Sequence, residues 1–394
     1  MTAASTSTDV ISALTDIAPG SPLAELRAQR PESMEHAQGS YTALFDPPEP
    51  VGLSPVERFA IALRVATVHE STEAMAHYKA RLVASGGSPE IVTAAGSYSQ
   101  VSASVPARLR VALRHTELLS RHPVDATADH LQLLADAGLA TVEIVVLSQI
   151  ISFVSFQVRV VKALQLLGAG SAADAAPAGA PAVAASGDPL PAATVVRPSA
   201  PLNSPPVFTR AQLEWEPWLV PLDMADASPK QVAALEGRRG NSPYFRLLAL
   251  DADVLTERTA TDLGIFYTHG GAPRAERELA AAATSRLNGC IYCASVHSRL
   301  SAQLSKREED VDRLLDKGVG PGLDLELGDR WNAVVDLAVE LARTPSAATT
   351  AQVDRLRSLG LSDLEILDIM QAAAFFSWAN RLMLTLGEPY VPDA

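Results

Sequence analysis

The sequence predicts an all-α protein built from two tandem helical domains joined by a Pro/Ala-rich linker. Three observations support this class: apolar residues recur with a helical period, strand signals are scarce, and the two halves of the chain resemble each other. The helical period is clearest near the end of the chain, at Leu356, Leu359, Leu364, Leu367 and Met370. The short apolar pair Val195-Val196 lies inside the linker and does not indicate a core strand.

The linker is predicted at residues 169–206, between an N-terminal domain at 1–168 and a C-terminal domain at 207–394. This segment of 38 residues contains 13 Ala and 8 Pro and only three charged residues. Proline interrupts helices, and alanine side chains are too small to build a core, so a flexible and partly extended connection is expected.

The two flanking halves are predicted to be copies of one unit. A shift of 222 positions (360 − 138 = 222) brings identical residues into register without a gap. Two unrelated Ala/Leu-rich helices are the alternative, but ten identities in one register favour duplication. The matched pairs are Arg121/Arg343, Pro123/Pro345, Gly138/Gly360, Leu139/Leu361, Glu143/Glu365, Ile144/Ile366, Gln149/Gln371, Phe153/Phe375, Ser155/Ser377 and Arg159/Arg381. Toward the front of each half the register slips, and Glu57-Arg58 corresponds to Glu276-Arg277.

Composition excludes several classes of function. The formal net charge is −13 and the pI about 5.1, and no Lys/Arg-rich run is present, so no nucleic-acid partner is expected. The N-terminus lacks the features of a signal peptide. The apolar stretch 142–156 contains Glu143 and Gln149 and is too short and polar to span a bilayer. We therefore expect a cytoplasmic protein with no membrane partner and with reduced thiols.

The chemistry is concentrated around the two cysteines of the chain, Cys290 and Cys293. Asn288-Gly289 predicts a helix break, so a new helix starts near Cys290 and both thiols lie in its first turn. A helix N-terminus stabilises an anion and lowers the pKa of a thiol there. His297, four residues after Cys293, lies on the same face, and Glu278 lies on the preceding helix within reach as a base.

Other uses of the cysteine pair stay open at this point. His297 with Glu278 or His269 could complete a zinc site, although structural zinc normally takes four protein ligands. Two buried, inert cysteines are a second alternative. Redox use is favoured over both because a dithiol at a helix N-terminus, with a nearby base, matches what thiol chemistry requires.

These residues carry a resemblance to a known family. The pattern Glu-x11-Cys-x2-Cys-x3-His, here Glu278, Cys290, Cys293 and His297, resembles the alkylhydroperoxidase D-like branch of the carboxymuconolactone decarboxylase family. The approach at 275–279 and the run 375–381 also look like peroxidase-related members. The likeness covers residues 207–390 well and the first half only through the duplication. One departure is Tyr292, which stands between the cysteines where the best-known member has a histidine.

The resemblance implies an all-helical peroxidase that reduces organic hydroperoxides with a dithiol/disulfide cycle. Cys293 would attack the peroxide, Cys290 would resolve the sulfenic acid, and Glu278 with His297 would move the protons. The implied partners are an organic hydroperoxide, a lipoyl- or thioredoxin-like dithiol reductant, and further copies of the chain in a homo-oligomer. No cofactor and no metal are expected. A non-redox acid/base enzyme using Glu278 and His297, and a non-catalytic partner in disulfide exchange, remain as alternatives.

The first half lacks both cysteines and is interpreted as a degenerate copy that serves assembly or substrate access. His69, Glu73 and His77 follow one another at intervals of four residues and are expected to form one stripe of a helix. A polar surface face is preferred there over a metal or acid/base site. The first 50 residues are expected to be irregular.

Overall fold

The computed structural model of the protein describes residues 9–97, 102–168 and 190–392, and these are mostly helical. The predicted all-α class is confirmed. The helices of the first half are α1 (Val10–Leu14), α2 (Pro22–Ala28), α3 (Pro31–Phe45), α4 (Pro55–Val68), α5 (Thr72–Ala84), α6 (Pro89–Ala95), α7 (Ala107–Arg121), α8 (Ala128–Asp136) and α9 (Thr141–Leu167).

The second half contains a further set of helices and one short pair of strands. The strands β1 (Glu214–Pro217) and β2 (Gly387–Tyr390) pair antiparallel, with Trp215 opposite Pro389. The helices are α10 (Pro229–Ala234), α11 (Pro243–Leu248), α12 (Ala252–Phe266), α13 (Arg274–Leu287), α14 (Ile291–Ser305), α15 (Glu308–Lys317), α16 (Asp329–Ala342), α17 (Thr350–Ser358) and α18 (Asp363–Leu386).

Helices α3 to α9 recur in the same order as α12 to α18. The offset is 252 − 31 = 221 for α3 and α12, and 274 − 55 = 219 for α4 and α13. It becomes 363 − 141 = 222 for α9 and α18, which is the shift that aligns the sequence identities. The repeat agrees with the tandem arrangement in the predicted fold class, whereas the exact domain boundaries stay a prediction.

The long helices of each half start at residues that satisfy their free backbone N–H groups. Ser362 caps α18, and its partner in the capping box is Glu365, whose Oε2 accepts the Ser362 N–H at 2.8 Å. Ser54 and Glu57 form the same box at the start of α4. Such caps fix the residue at which a helix begins. The position of that residue in turn determines which side chains lie on the buried face of the helix.

The loop before α4 and the loop before α13 are each held by a buried arginine through hydrogen bonds of the same kind. Nε of Arg58 donates to the carbonyl oxygen of Leu53 at 2.9 Å, and Nε of its counterpart Arg277 donates to that of Ala272 at 3.0 Å. Because a buried carbonyl is costly to leave unpaired, each guanidinium stabilises a loop that apolar contacts alone would not hold. The loop before α13 leads into the helix that carries Glu278.

The halves pack against each other through α9 and α18, and the contacts across this interface are reciprocal. Nη2 of Arg159 donates to the carbonyl of Ala342 at 2.6 Å, and Nη2 of Arg381 donates to that of Ser120 at 2.7 Å. The residues correspond, since 381 − 159 = 222 and 342 − 120 = 222. The contact of Arg159 with Ala342 is therefore repeated, with the roles of the two halves exchanged, by the contact of Arg381 with Ser120. This is the geometry of an isologous dimer interface, here formed within one chain.

Helix α9 is the one element of the described chain that could cross a membrane by length and composition alone. It spans 27 residues, and an 18-residue window within it has a mean hydropathy of 1.9, so the expectation that this stretch is too short was wrong. All of its most apolar window is buried inside the protein, as in the core helix of a soluble protein. Its apolar residues pack against α18 and α4 and need no lipid.

Two further expectations, for the N-terminal region and for the linker, can be compared with the structure. Residues 9–50, the described part of the first 50, are not irregular: α1, α2 and α3 occupy much of them, and Arg30 joins this region to α18 by two hydrogen bonds to Asp368, at 2.7 and 2.8 Å. Of the linker, residues 169–189 lie outside the described ranges. Its remainder is extended, and Val196 donates its backbone N–H to Trp218 at 2.9 Å.

Candidate functional site

The two cysteines lie where α13 gives way to α14. Helix α13 ends at Leu287, and Gly289 adopts a φ of 78°, a left-handed conformation that glycine tolerates without strain. Cys290 is then the N-cap of α14, and Cys293 lies in its first turn, as the Asn288-Gly289 break predicts. A side chain at Gly289 would also collide with Val124 of the first half, 2.5 Å from the position of a Cβ.

A cavity of about 550 Å³ leads from the surface to Cys293 and His297. Exposed residues such as Gln212 and Glu214 line its outer part. Its walls are mixed, with polar side chains beside apolar ones. The apolar part comes from Leu213 and from β1, α14 and α18, with the side chains of Trp215, Val296, Phe375, Phe376 and Met383. Cys290 and Glu278 are not among the lining residues, so they lie behind the two groups that a substrate can meet.

Both thiols are free and buried, and their pKa values move in opposite directions. Cys290 is 1% exposed and Cys293 5%. Burial, together with the hydrogen bond and the charge of Cys293, raises the pKa of Cys290 well above its usual range. Burial would also raise the pKa of Cys293, but the hydrogen bond from Cys290 and the charge of His297 outweigh it and lower that pKa. Cys293 is therefore the thiol that ionises more readily, and Cys290 is the thiol that donates a hydrogen bond to it.

His297 is held by Glu278 from the neighbouring helix α13. Nδ1 of His297 donates to Oε2 of Glu278 at 2.5 Å, and Oε1 of the same carboxylate accepts from Nε of Arg274 at 3.0 Å. Burial lowers the pKa of His297, but the charge and hydrogen bond of Glu278 outweigh this and raise it above 6.5. Burial likewise opposes the ionisation of Glu278, but His297 and Arg274 lower its pKa below 4.5. The imidazolium is thus stabilised next to the Cys293 thiolate.

An amide network supports the thiols from the side opposite the cavity. Nδ2 of Asn288 donates to Oδ1 of Asn380 at 2.9 Å, and Nδ2 of Asn380 donates to Oγ of Ser285 at 3.0 Å. The side chain of Asn380 is also hydrogen-bonded to both cysteines, which favours their ionised forms. This role of Asn380 was not foreseen, although the residue stands in the run 375–381 singled out in the sequence.

The structure brings together the predicted site residues, whereas their catalytic roles stay predictions. Glu278 of α13 is hydrogen-bonded to His297 of α14, and the charge of His297 and a hydrogen bond from Cys290 both act on Cys293. His269, the other candidate zinc ligand, lies exposed in the loop before α13. Over the described ranges, no group of three or more His, Cys, Asp or Glu side chains is arranged to hold a metal. Tyr292 lines the cavity, and burial and the charge of Cys293 raise its pKa, so the phenol stays protonated.

Sequence reasoning missed the residues that α11 and α12 contribute. Arg258 and Asp262 are one helical turn apart on α12 and line the cavity, with Tyr244 of α11 beside them. The repeat contains a signal that could have found them, because the counterparts of Arg258 and Asp262 in the first half are Ala37 and Tyr41 (258 − 37 = 221 and 262 − 41 = 221). Charged residues present in one copy and absent in the other indicate a role specific to that copy.

The corresponding place in the first half is filled by aromatic side chains. The rings of Phe45 and Phe59 stack with centroids 5.3 Å apart, and Tyr78 lies 5.3 Å from Phe45. At an offset of 219, the counterparts of Glu278, Cys290, Cys293 and His297 are Phe59, Ser71, Ala74 and Tyr78. Aromatic side chains thus occupy this place in the first half, and neither the two thiols nor the Glu–His pair of the second half is present there.

The predicted stripe of His69, Glu73 and His77 is wrong. Helix α4 ends at Val68 and α5 begins at Thr72, so His69 lies on a different helix from the other two. The preferred surface face is wrong as well for both histidines, which are 7% and 9% exposed. His69 is hydrogen-bonded to Ser155 at 3.2 Å and His77 to Tyr41 at 2.9 Å. Burial, the larger cause, and Arg81 lower the pKa of His77 to about 4, so it is neutral.

Comparison with known proteins supports the family resemblance. Residues 252–323 match the model of the carboxymuconolactone decarboxylase family, and this range includes Arg258, Glu278, both cysteines and His297. A solved structure titled as the alkylhydroperoxidase AhpD core, an uncharacterised peroxidase-related protein from Ralstonia eutropha JMP134, is 27% identical over 36% of this chain and 73% of its own. The TM-score of 0.33 is too low to establish a common overall fold. No curated protein matches the chain.

Proposed function

We propose that the protein is a thiol-dependent peroxidase that reduces organic hydroperoxides, in keeping with the match of residues 252–323 to the carboxymuconolactone decarboxylase family. One observation carries the proposal. Cys293 lines the cavity with a lowered pKa, while Cys290 lies directly behind it as a protonated hydrogen-bond donor. A peroxidase needs such a pair, with one accessible thiolate to attack and one thiol to resolve.

In the first step the Cys293 thiolate attacks the terminal oxygen of the hydroperoxide. An S–O bond forms, the O–O bond breaks, and Cys293 becomes a sulfenic acid while an alkoxide leaves. His297, kept protonated by Glu278, supplies the proton that turns the alkoxide into an alcohol. Glu278 acts on the reaction through His297, since it does not line the cavity, and it is therefore a positioning residue.

In the second step Cys290 attacks the sulfur of the sulfenic acid. An S–S bond forms and the S–O bond breaks. The imidazole of His297, now neutral, takes the proton of the Cys290 thiol and passes it to the leaving hydroxyl, which departs as water. The two steps together convert a dithiol and a hydroperoxide into a disulfide, an alcohol and water. Because Cys290 already donates a hydrogen bond to Cys293, the resolving thiol needs no large movement.

The reductant that reopens the disulfide has to reach sulfur atoms that are at most 5% exposed. A slender dithiol of the lipoyl type can enter the cavity, whereas a folded thioredoxin-like protein would require the walls to open. We therefore propose a lipoyl-type donor and a reducing, cytoplasmic environment. The same burial argues against disulfide exchange with other proteins as the main activity. Assembly of the chain into a homo-oligomer is part of the proposal.

The test is a count of free thiols with an intact-mass measurement, before and after one equivalent of tert-butyl hydroperoxide. The reduced wild-type protein should lose both thiols and two hydrogens within seconds. Cys290→Ser should stop at a sulfenic acid on Cys293 that dimedone traps, and Cys293→Ser should not react. Two thiols that survive in the wild type would rule out the peroxidase and favour acid/base chemistry at Glu278 and His297.

A further inference from the structure

A buried arginine that forms no ion pair within the described ranges faces the cavity next to Cys293. Arg258 of α12 is 4% exposed and lines the cavity together with Cys293 and His297. Its charge is one of the factors that lower the pKa of Cys293, so the two groups are in electrostatic reach. Burying a guanidinium is costly unless its donors and its charge are matched.

The protein itself matches Arg258 only in part. Nη2 donates to Oη of Tyr244 at 3.3 Å, a long hydrogen bond, and the guanidinium carbon lies 5.1 Å from the centre of the Phe375 ring. Nε has no hydrogen-bond partner. Within the ranges that the structure describes, no carboxylate forms an ion pair with this arginine. Asp262, one turn away, forms no ion pair with it. Burial raises the pKa of that carboxyl and outweighs the charge of Arg258, which lowers it.

The fold does not require an arginine at this position. The counterpart in the first half is Ala37, which is buried in an equivalent place on α3. The structural arginines Arg159 and Arg381 also leave Nε without a partner, but they occur in both halves and their Nη groups donate to backbone carbonyls. Arg258 is thus confined to the half that has the thiols, and part of its hydrogen-bonding capacity remains unused.

We propose that Arg258 binds a carboxylate, and that the substrate is an organic hydroperoxide bearing a carboxylate group. This inference rests on the proposed function. The planar guanidinium can bind both carboxylate oxygens of a ligand, and the apolar part of the wall, which includes Phe375 and Met383, can cover an alkyl chain. A monoanion is favoured over a phosphate because the lining supplies few cations and also contains Asp262, Glu214 and Glu216.

Binding is tested without any reaction, using hexanoate as the probe and hexanamide as its uncharged counterpart. Both are titrated into the reduced protein by calorimetry, and both are used to protect Cys293 from alkylation by iodoacetamide. The wild type should bind hexanoate roughly tenfold or more tightly than hexanamide. Arg258→Met should lose this preference, Arg258→Lys should keep part of it, and Arg286→Met, a matched change on α13 outside the cavity, should leave it intact.

The substrate class is tested with a carboxylate-bearing alkyl hydroperoxide and its methyl ester. The wild type should oxidise the acid with a KM roughly tenfold lower than that of the ester, and Arg258→Met should raise the KM of the acid alone. Equal binding of hexanoate and hexanamide by the wild type, or an acid preference that survives in Arg258→Met, would overturn the carboxylate site. Failure of the proposed peroxidase function gives a different result. In that case neither hydroperoxide oxidises the thiols, whether or not the protein binds hexanoate.

Discussion

His297 and Glu278 form a 2.5 Å hydrogen bond between helices α14 and α13, and this bond sets the charge state of the whole site. It raises the pKa of His297, and the resulting positive charge helps to lower the pKa of Cys293. The ionisation of Glu278, His297 and Cys293 is therefore coupled. A change at Glu278 alters the pKa of Cys293, although the carboxylate does not contact the sulfur atom.

Replacing Glu278 by Gln should make Cys293 a poorer nucleophile at neutral pH. Without the carboxylate the pKa of His297 falls, its positive charge is lost, and the pKa of Cys293 rises. Reduction of hydroperoxide at pH 7 should slow about 100-fold. The pH dependence of iodoacetamide alkylation at Cys293 measures this, and its midpoint should move to higher pH. Glu214→Gln at the cavity rim is the matched control, and a midpoint that moves equally there would contradict the assignment.

The Glu278–His297 pair should stabilise the protein only within a limited pH window. The folded-state pKa of Glu278 is lowered, so its contribution is present above about 4.5 and is lost as the pH falls through the folded value. That of His297 is raised, so its contribution is complete below about 6.5 and is lost as the pH rises through the folded value.

A double-mutant cycle with Glu278→Gln and His297→Gln, followed by urea unfolding, measures this coupling. The coupling free energy should be about 1–3 kcal/mol between these limits and should shrink at both ends. A coupling that stays constant from pH 4 to pH 9 would show that packing, rather than charge, joins the two side chains.

The reciprocal arginines should contribute similarly to the stability of the two halves. Arg159→Leu and Arg381→Leu each leave buried carbonyls without a donor, and each should lower the free energy of unfolding by about 2–4 kcal/mol. Chemical denaturation monitored by tryptophan fluorescence gives both values. Arg357→Leu, which removes a half-exposed surface ion pair, should cost less than about 1 kcal/mol. An Arg381 variant as stable as the wild type would contradict the interface described above.

Cysteines placed in the first half should not create a second redox centre. In a chain lacking its native thiols, Ser71→Cys with Ala74→Cys restores the spacing but not the acid/base pair, because Phe59 and Tyr78 occupy those positions. Both new thiols should keep pKa values at or above the usual range, and iodoacetamide should alkylate them about 100-fold more slowly than Cys293. Rapid disulfide formation with hydroperoxide would show that the spacing alone suffices.

The sequence was most informative where function depends on local spacing. The helix break at Asn288-Gly289 and the meeting of Glu278 with His297 follow from residues on two consecutive helices joined by a short turn. Arg258 was missed because its place in the cavity depends on how α12 packs against α3 and α18, and no short sequence pattern predicts that packing. The His69 stripe failed for a local reason: Glu70 adopts a φ of 55°, so the helix stops where a continuous one was assumed.

The reciprocal contacts of Arg159 and Arg381 have a consequence for how the protein responds to dilution. Two identical, separate chains paired through such an interface would dissociate as their concentration falls. Any substitution in the sequence would then be present in both subunits. Here covalent connection keeps the partners together at any concentration and lets each copy carry its own residues. The ratio of one dithiol to two helical units is therefore fixed by the chain itself, and no change in protein concentration can alter it.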